Sequence, residues 1–517
     1  MSSIASSPFV PEKLEPKGIV LVAIVLILAM GNFLAVLDLT IAQVLVPHIA
    51  GSLASSPSNG TWVITGYGVA EAIMVPLTGW LVDRFGPVKV FVLCIVGFGV
   101  FSLLCGMATS LGMLIACRVA LGICGGPIIP ISQTLLIKLV PERYATVALA
   151  VWALTTILAP VLGPVIGGLI ADNWSWPWAF YFKVPLAAVI AFGAWKILTP
   201  RELPTTKVGV DYVGLALLVV WVAALQIMLG TGQDNDWFNS GFIVTLLVVV
   251  IVGFISFVIW EMTDKTPIVD LRVYGNRAFS VSMVVIALAF GALFGAVVLV
   301  PLWLQTSMGY TATWSGYNFA FMGVAATVAT PIAAILMSRM DHRGIVTIGL
   351  LFAAAACLMR VGYNDQITFW QLMWPQLLLG FGMTTVMIPL MDMSVSSLPP
   401  NLTASGAGQF NFIRTLASAV STASIVAVWN DQIRINSATL AGELQHTQAL
   451  LDAAAASGLG HDKALSLLNM MVQGQGVMLA TNRTFLIIGC ILLFTAAFVW
   501  VAPKPPKKAG GSIPAMH

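Results

Sequence analysis

Three ionisable residues interrupt long apolar stretches in the first quarter of the sequence: Asp38, Glu71 and Arg118. A charged group inside an apolar stretch is costly to bury without a partner or water. Two carboxyl groups and one guanidinium could share a site in which protonation of one acid changes the geometry of the others. Since the five histidines lie at boundaries, in loops or in the tail, the carboxyl groups are the predicted proton carriers. The alternative is a structural ion pair that never titrates.

The composition explains why charges inside these stretches stand out. Of 517 residues, 59% are hydrophobic and 9% are charged, whereas soluble domains carry about 25% charged residues. We therefore predict that lipid surrounds most of the chain. The net charge of +3 does not favour nucleic-acid binding. The sequence has no glycine-rich phosphate-binding loop and no cluster of histidines, cysteines or carboxylates, so we expect no direct use of ATP, no metal site, no cofactor and no enzymatic activity.

Apolar stretches of the length that crosses a bilayer, about 20 residues, position these charges. The fourteen predicted spans are 18–46, 61–82, 88–108, 111–135, 145–170, 177–198, 211–230, 241–262, 279–306, 313–338, 344–362, 368–392, 404–428 and 484–503. Seventeen of the 24 Lys and Arg residues lie in the two tails and in the loops after even-numbered spans. This bias places both termini in the cytoplasm. The rise per residue then places all three charges about 10–15 Å below the outer boundary.

A weak internal repeat divides the spans. A short basic turn follows span 2 and another follows span 10, and both spans begin at Thr-Trp, at Thr61 and Thr313. This pairing matches spans 1–6 with spans 9–14 and leaves spans 7 and 8 as an insertion. The predicted segments are a cytoplasmic tail 1–17, a six-helix bundle 18–198, two inserted helices with their flanks 199–278, a second six-helix bundle 279–503 and a cytoplasmic tail 504–517.

The second bundle contains a long predicted external loop, 430–483. Apolar residues recur at helical spacing in two segments of it: Leu440, Leu444 and Leu451, then Leu465, Leu468 and Val472. The pattern predicts an external helical hairpin. It could pack as a lid on the outer face or offer a docking surface to a partner.

Two further cations, Lys183 and Arg414, lie deep inside predicted spans, whereas Arg360 lies at a span end and needs no special role. Lys183 in span 6 follows several aromatic residues, so its ammonium could reach the membrane interface or line a cavity that contacts an anion or a drug. The first reading is slightly favoured. Arg414 in span 13 is the deep charge of the second bundle.

Span 5 combines prolines and glycines. Gly163 and Gly167 are four residues apart and present a flat face for close helix contact. Pro160 and Pro164 each remove a backbone donor and bend the helix. Such a kinked and closely packed helix suits a hinge or a seal between two bundles.

Several motifs resemble those of the major facilitator superfamily and its 14-helix drug:proton antiporters. They are the span-1 motif at 37–44, with Gln43 in place of the usual Asn, the loop 2–3 motif at 79–89, the span-4 motif at 118–122 and the span-5 antiporter motif around Gly163. Further strings are similar to those of the EmrB-like multidrug efflux pumps in this family: 61–65, 76–80, 225–229, 236–238 and 267–271. Glu71 and Lys183 depart from the pattern, since the family has a neutral residue at each position.

The resemblance implies a major-facilitator fold in a bacterial inner membrane and proton-driven export of bulky hydrophobic or amphipathic drugs by alternating access. It implies that Asp38 takes part in proton coupling with Arg118. It also implies that Asp83 stabilises the outward-open state from the cytoplasmic side by contacting a neighbouring helix end, with Arg84 and Lys89 as its charge partners. The residues expected to act in conformational gating are Gly79, Asp83, Arg84, Gly86, Lys89, Pro160, Gly163, Pro164, Gly167 and Gly168. The possible substrate-cavity residues are Gln43, Lys183 and Arg414.

The resemblance also implies partners: a periplasmic adaptor of the EmrA kind and an outer-membrane channel of the TolC kind. Two alternatives stay open. One is a dedicated exporter of a metabolite, fatty acid or siderophore with the same fold. The more remote one is a proton-pumping subunit of a respiratory complex.

Overall fold

The computed structural model describes residues 16–55, 60, 62–205, 209, 211–264, 267, 269–364, 366–399, 402–443 and 461–503. Within these ranges the regular secondary structure is entirely helical. The long helices are α1 Ile19–Ser52, α2 Trp62–Phe85, α3 Pro87–Gly106, α4 Leu111–Leu139, α5 Glu142–Asn173, α6 Lys183–Leu198, α7 Tyr212–Thr231, α8 Gly241–Thr263, α9 Arg277–Thr306, α10 Ala312–Arg339, α11 His342–Arg360, α12 Phe369–Ser396, α13 Thr403–Glu443 and α14 His461–Phe498. A one-turn helix, Trp178–Tyr181, precedes α6.

Thirteen of the described helices are long and apolar enough to cross a membrane. The helix outside this set is α2, which is 24 residues long. Glu71 in its middle and Asp83 and Arg84 near its end lower its hydropathy. The predicted all-α membrane architecture is confirmed, while fourteen crossings and the side on which the termini lie stay predictions.

The packing of the helices repeats between the two halves of the chain. In the first half, α1 packs on α5, α2 on α4, and α3 on α4 and α6; in the second half, α9 packs on α13, α10 on α12, and α11 on α12 and α14. Between the halves, α2 packs on α13 and α5 on α10. If α1–α6 correspond to α9–α14, then α2 matches α10 and α5 matches α13. The α2–α13 contact then becomes the α10–α5 contact, as expected if spans 2 and 10 are equivalent.

The inserted helices lie against one seam between the halves. Helices α7 and α8 pack on each other, and α7 also contacts α2 and α13. The indole of Trp221 on α7 lies 6.1 Å from the ring of Phe257 on α8 and 6.0 Å from that of Phe412 on α13, between centroids. The insertion therefore covers the α2–α13 seam.

The opposite seam, between α5 and α10, is tight. A Cβ on Gly316 of α10 would lie 2.9 Å from the backbone nitrogen of Val165 on α5. Within the first half, a Cβ on Gly163 of α5 would collide with Thr40 on α1, and one on Gly167 would lie 3.4 Å from the carbonyl oxygen of Ile41. Glycine thus permits close approach at the positions that the span-5 pattern indicated.

Two helices continue far beyond the length that a bilayer requires. Helix α13 has 41 residues and α14 has 38, compared with about 20 for a span. Their distal parts pair: Trp429 donates to the Thr481 hydroxyl at 2.9 Å and Ser437 donates to Gln473 at 3.3 Å. Both helices run unbroken from the bundle into this projection.

We call residues 430–443 and 461–483 the helical hairpin. The end of the bundle from which it projects is the hairpin end, and the end at which α1 begins is the terminal end. The hairpin forms where an external hairpin was predicted, although it extends α13 and α14 and is not a separate pair of helices. Leu444 and Leu451 of the predicted apolar face lie outside the described residues.

Candidate functional site

Asp38 on α1 is the centre of a buried cluster of charges. Its carboxylate accepts hydrogen bonds from the Arg118 Nη1 of α4 and the Lys183 Nζ of α6. None of the three residues is more than 1% exposed. One carboxylate therefore holds two cations where three helices of the first half meet.

Aromatic rings and backbone complete the surroundings of these cations. The Arg118 Nε donates to the carbonyl oxygen of Val63 at 3.0 Å, and its guanidinium lies 4.5 Å from the ring centroid of Tyr67. The Lys183 ammonium lies 4.6 Å from the ring centroid of Phe180. Cation–π contacts compensate in part for the positive charge that one carboxylate leaves unbalanced.

Two polar atoms of this cluster remain without a hydrogen bond among the described residues: the Arg118 Nη2 and the Tyr67 hydroxyl. Both are buried. A cluster with an excess cation and spare hydrogen-bonding groups is sensitive to any change in the charge of Asp38, because no second anion is in contact with it.

This geometry corrects two expectations. The sequence suggested one arginine between two carboxylates, but the structure places one carboxylate between Arg118 and Lys183. The preference for Lys183 at the membrane interface is also wrong. The lysine is 1% exposed, because a carboxylate inside the bundle offers its ammonium a partner.

A cavity of about 330 Å³ lies between the two halves and α7. Its wall is largely apolar, and Glu71 of α2 is the ionisable residue among the described side chains that line it. The cavity extends from Val36 and Phe294, in the middle of α1 and α9, to Trp237 in the α7–α8 connection at the hairpin end. The inserted helices thus form part of its wall.

Glu71 is 3% exposed and has no ion pair within 4 Å among the described residues. Arg414 of α13, itself 5% exposed, is near enough for the two charges to interact. Its guanidinium lies 5.5 Å from the ring centroid of Phe290. Thr415, the next residue of α13, lines the cavity. An acid of the first half and a base of the second half therefore approach each other at the cavity.

A hydrogen bond joins the two halves on the terminal side of the cavity. The Asn411 Nδ2 of α13 donates to the Gln133 Oε1 of α4 at 2.7 Å. Gln133 is fully buried and Asn411 is 1% exposed. Buried polar groups thus connect the halves between the cavity and the terminal end, while the cavity itself extends toward the hairpin end.

The α2–α3 turn, which carries the loop 2–3 motif, is held by a residue that the sequence did not single out. Glu202, after α6, accepts hydrogen bonds from the backbone N–H groups of Val88 at 3.0 Å and Lys89 at 2.9 Å. Gly86 has φ 91°, and a Cβ there would lie 2.7 Å from the Glu202 Oε1. Glycine is required at this position for both its backbone conformation and its lack of a side chain.

Asp83 does not form an ion pair with its predicted charge partners in this motif. Asp83 is exposed and forms no ion pair within 4 Å with Arg84, Lys89 or any other described residue. Its charge instead interacts with Lys138 at the end of α4. The Arg84 guanidinium lies 5.5 Å from the ring centroid of Trp80.

The remaining predicted residues are placed as follows. A Cβ on Gly79 would meet nothing within 4 Å, Pro160 lines the cavity, Pro164 is half-buried and Gly168 is buried. Lys183 is in the Asp38 cluster and not in the cavity wall. The side chain of Gln43 lies outside the described residues.

Comparisons with known proteins agree with the helical architecture. A family model described as Major Facilitator Superfamily matches residues 28–422. The chain is 38% identical over 500 residues to the Multidrug export protein EmrB of Escherichia coli (strain K12), covering 96% of this chain and 98% of that protein. It is 36% identical over 499 residues to the Fatty acid resistance protein FarB of Neisseria gonorrhoeae, with the same coverage of 96% and 98%.

Solved structures share the fold. The crystal structure of the human organic anion transporter MFSD10 (TETRAN) superposes with a TM-score of 0.57 at 15% sequence identity, covering 91% of this chain and 99% of that chain. At this identity the likeness concerns the fold alone.

The cluster geometry predicts an asymmetric response to substitution. Asp38→Asn leaves two buried cations without an anion and should destabilise the protein by about 3–5 kcal/mol. Lys183→Met leaves the Arg118–Asp38 pair intact and should cost much less, and it should recover part of the loss when combined with Asp38→Asn. Unfolding of the four purified proteins in detergent measures the cycle. Equal losses for the two single variants, with no recovery in the double variant, would contradict the geometry.

Proposed function

This chain belongs to the Major Facilitator Superfamily, and from that premise we propose that it exports hydrophobic or amphipathic small molecules in exchange for protons. With thirteen helices that can cross a membrane and bacterial relatives over nearly its whole length, it is a multi-pass inner-membrane protein. The observation that carries the proposal is the apolar cavity between the halves. Leu39, next to the buried Asp38, lines this cavity. In this proposal the protein transports its substrate and does not transform it.

The cavity suits the proposed substrates. About 330 Å³ is near the lower end of the volumes typical of small-molecule sites, and a largely apolar wall stabilises hydrophobic ligands. Gln226 and Gln233, from the inserted helix α7 and the turn after it, add hydrogen-bonding groups. The insertion is thus part of the substrate site in this proposal.

A dedicated exporter of fatty acids or similar anionic amphiphiles is the second candidate. Arg414 beside the cavity is a buried cation that could receive a carboxylate, and a relative 36% identical is named a fatty acid resistance protein. Export of a cationic dye and of a long-chain fatty acid by the same vesicles separates the two candidates.

Alternating access moves the half 18–198 against the half 279–503, with 199–278 carried beside them. The Lys and Arg bias places the hairpin end in the periplasm, with fourteen crossings and both termini in the cytoplasm. In that orientation the cavity extends toward the periplasm, and the Gln133–Asn411 hydrogen bond closes the cytoplasmic side. Inward opening must break this bond. The close α5–α10 contact at Gly316 constrains this movement, whereas the α2–α3 turn at Gly86 and the α1–α5 contact at Gly163 hold the first half together as it moves.

Asp38 couples protons to this movement. When a proton neutralises its carboxylate, Arg118 and Lys183 lose their common anion, and their repulsion destabilises the meeting of α1, α4 and α6. Each proton that enters down a potential of 100 mV supplies ~2.3 kcal/mol. Glu71 is the second carrier in this proposal, since its carboxyl group borders the cavity without an ion pair among the described residues.

We expect the Asp38→Asn/Lys183→Met variant to fold and bind drug but to lose proton-driven export, because the titrating group is gone and one buried cation, Arg118, is left without an anion instead of two. Lys183→Met alone is the matched control and should retain export. Drug uptake by energised everted vesicles measures the effect. Full export by the double variant would exclude Asp38 as the coupling residue.

Glu71→Gln should remove one proton from each transport cycle. At 100 mV the maximal drug gradient would then fall about 50-fold, which is ~2.3 kcal/mol expressed as a ratio. The drug:proton ratio in proteoliposomes measures this directly. Gln226→Glu, on α7 in the wall of the same cavity, is the control for adding rather than removing a carboxyl group. A ratio unchanged by Glu71→Gln would remove Glu71 from the mechanism.

We propose further that the chain works with a periplasmic adaptor and an outer-membrane channel, and that the helical hairpin binds the adaptor. Several apolar side chains on the α14 part of the hairpin are exposed, among them Leu467 by 47%, Met470 by 73% and Met471 by 64%. Exposed apolar surface beyond the membrane is typical of interaction sites, and methionine adapts to the shape of a partner.

Met470→Asp/Met471→Asp should therefore reduce copurification of the adaptor and lower the drug resistance of cells. Drug uptake by energised everted vesicles should stay unchanged. Gln475→Asp adds a charge to the same exposed helix and is the control. If the adaptor copurifies equally with both variants, the hairpin has another role, such as a lid.

A further inference from the structure

A second cavity, of about 230 Å³, lies at the hairpin end between α11, α13 and α14. It shares no described lining residue with the cavity between the halves. Its wall consists of Val361, Asn436, Leu479, Asn482, Arg483 and Leu486. The proposed transport mechanism does not use any of these residues.

Two buried polar atoms of the wall lack a partner among the described residues: the Asn436 Nδ2, a donor, and the Asn482 Oδ1, an acceptor. Asn436 is 8% exposed, and its Nδ2 donates to no described group. One donor of the exposed Arg483, its Nη1, binds the Gln432 Oε1 at 2.9 Å; a guanidinium has five donors in all. Asn482 donates to the carbonyl oxygen of Tyr363 at 3.0 Å. Buried polar atoms without partners are uncommon in folded proteins, and the Asn436 Nδ2 together with the remaining donors of Arg483 offers hydrogen bonds to the acceptor atoms of a ligand.

A buried cation stands behind this wall. Arg360, the residue before Val361, is 2% exposed, and neither its Nη1 nor its Nη2 has a hydrogen-bond partner among the described residues. Its guanidinium lies 5.1 Å from the ring centroid of Phe485, between Asn482 and Leu486 in sequence. The side chain that does contact it is Cys357, which is not an acid of comparable strength. A buried arginine without a counter-ion among the described residues is costly, and an anion close to it would lower that cost.

No described acid near the cavity balances these charges. Asp431 on the hairpin is paired with Arg434 at 2.6 Å, and neither residue lines the cavity. The cavity thus combines one positive charge on its rim with a second behind its wall. This favours an anionic ligand over a zwitterionic one.

The position of the cavity identifies the kind of anion. The last predicted span begins at residue 484, so Arg483 lies at the depth of lipid head groups. Leu486 and Leu493 on α14 are 43% and 40% exposed, seven residues apart on one face of the helix. An acyl chain can lie along this apolar face while its head group enters the cavity.

We propose that this cavity binds the phosphodiester head group of an anionic phospholipid, with Arg483 and Asn436 donating to the phosphate and Arg360 supplying the second positive charge. The lipid joins α11 to the base of the helical hairpin on α13 and α14. It acts as a structural ligand and not as a transported substrate.

Native mass spectrometry of the purified full chain in detergent tests the proposal with three probes: dioctanoyl phosphatidylglycerol, dioctanoyl phosphatidylethanolamine and inorganic phosphate. Loss of a charge-assisted hydrogen bond changes affinity about tenfold. We expect one phosphatidylglycerol to bind about tenfold more tightly than phosphatidylethanolamine, and Asn436→Leu/Arg483→Gln to abolish this preference. Arg434→Gln, on the same hairpin but outside the cavity, should retain it.

Equal affinity for the two lipids, or an unchanged preference in the double variant, would overturn the proposal. Displacement of phosphatidylglycerol by equimolar inorganic phosphate would show a site for free phosphate and would also overturn it. Arg483→Gln alone serves if the double variant does not fold. It keeps every buried residue, and a preference equal to that of the unsubstituted protein would count against the lipid.

Discussion

The carboxylate of Asp38 is the constraint on which the rest of the first half depends. It is the anion in hydrogen-bonding contact with Arg118 and Lys183 among the described residues, and these side chains come from α1, α4 and α6. A buried ion pair contributes little net stability when it is intact, but its loss leaves uncompensated charge in a medium of low dielectric. The helices that Asp38 joins are therefore stable together in one charge state and strained in the other. A proton is the smallest ligand that can make this difference.

The two seams between the halves differ in what they can do. At the α5–α10 seam the backbones of Val165 and Gly316 approach closely, so movement there is confined to tilting about the contact. At the α2–α13 seam, side chains and a cavity separate the helices, and Glu71 and Arg414 approach across it. Opposite charges on the two halves favour closure of this seam, and neutralisation of Glu71 or an ionic ligand weakens that preference.

Much of this arrangement could be predicted from the sequence, because lipid imposes a strong pattern. The apolar stretches located the helices, and the rise per residue placed Asp38, Glu71 and Arg118 at one depth. Depth does not specify the direction in which a side chain leaves its helix, so Lys183 was not recognised as the second partner of Asp38. Gln133 and Asn411 are neutral, and Glu202 lies in a connection, so nothing in their immediate sequence marked them. Their roles depend on which helices are neighbours, and short sequence patterns carry little information about that.

The unbroken course of α13 and α14 has a mechanical consequence. The hairpin part of α14 comprises residues 461–483, which is about 34 Å of rigid helix beyond the bundle. A rod of this length acts as a lever: when the second half tilts by about 10°, its tip sweeps through about 6 Å. In the proposed transport cycle such a tilt would move the tip of the hairpin, and a partner bound there would sense whether the cavity is open or closed.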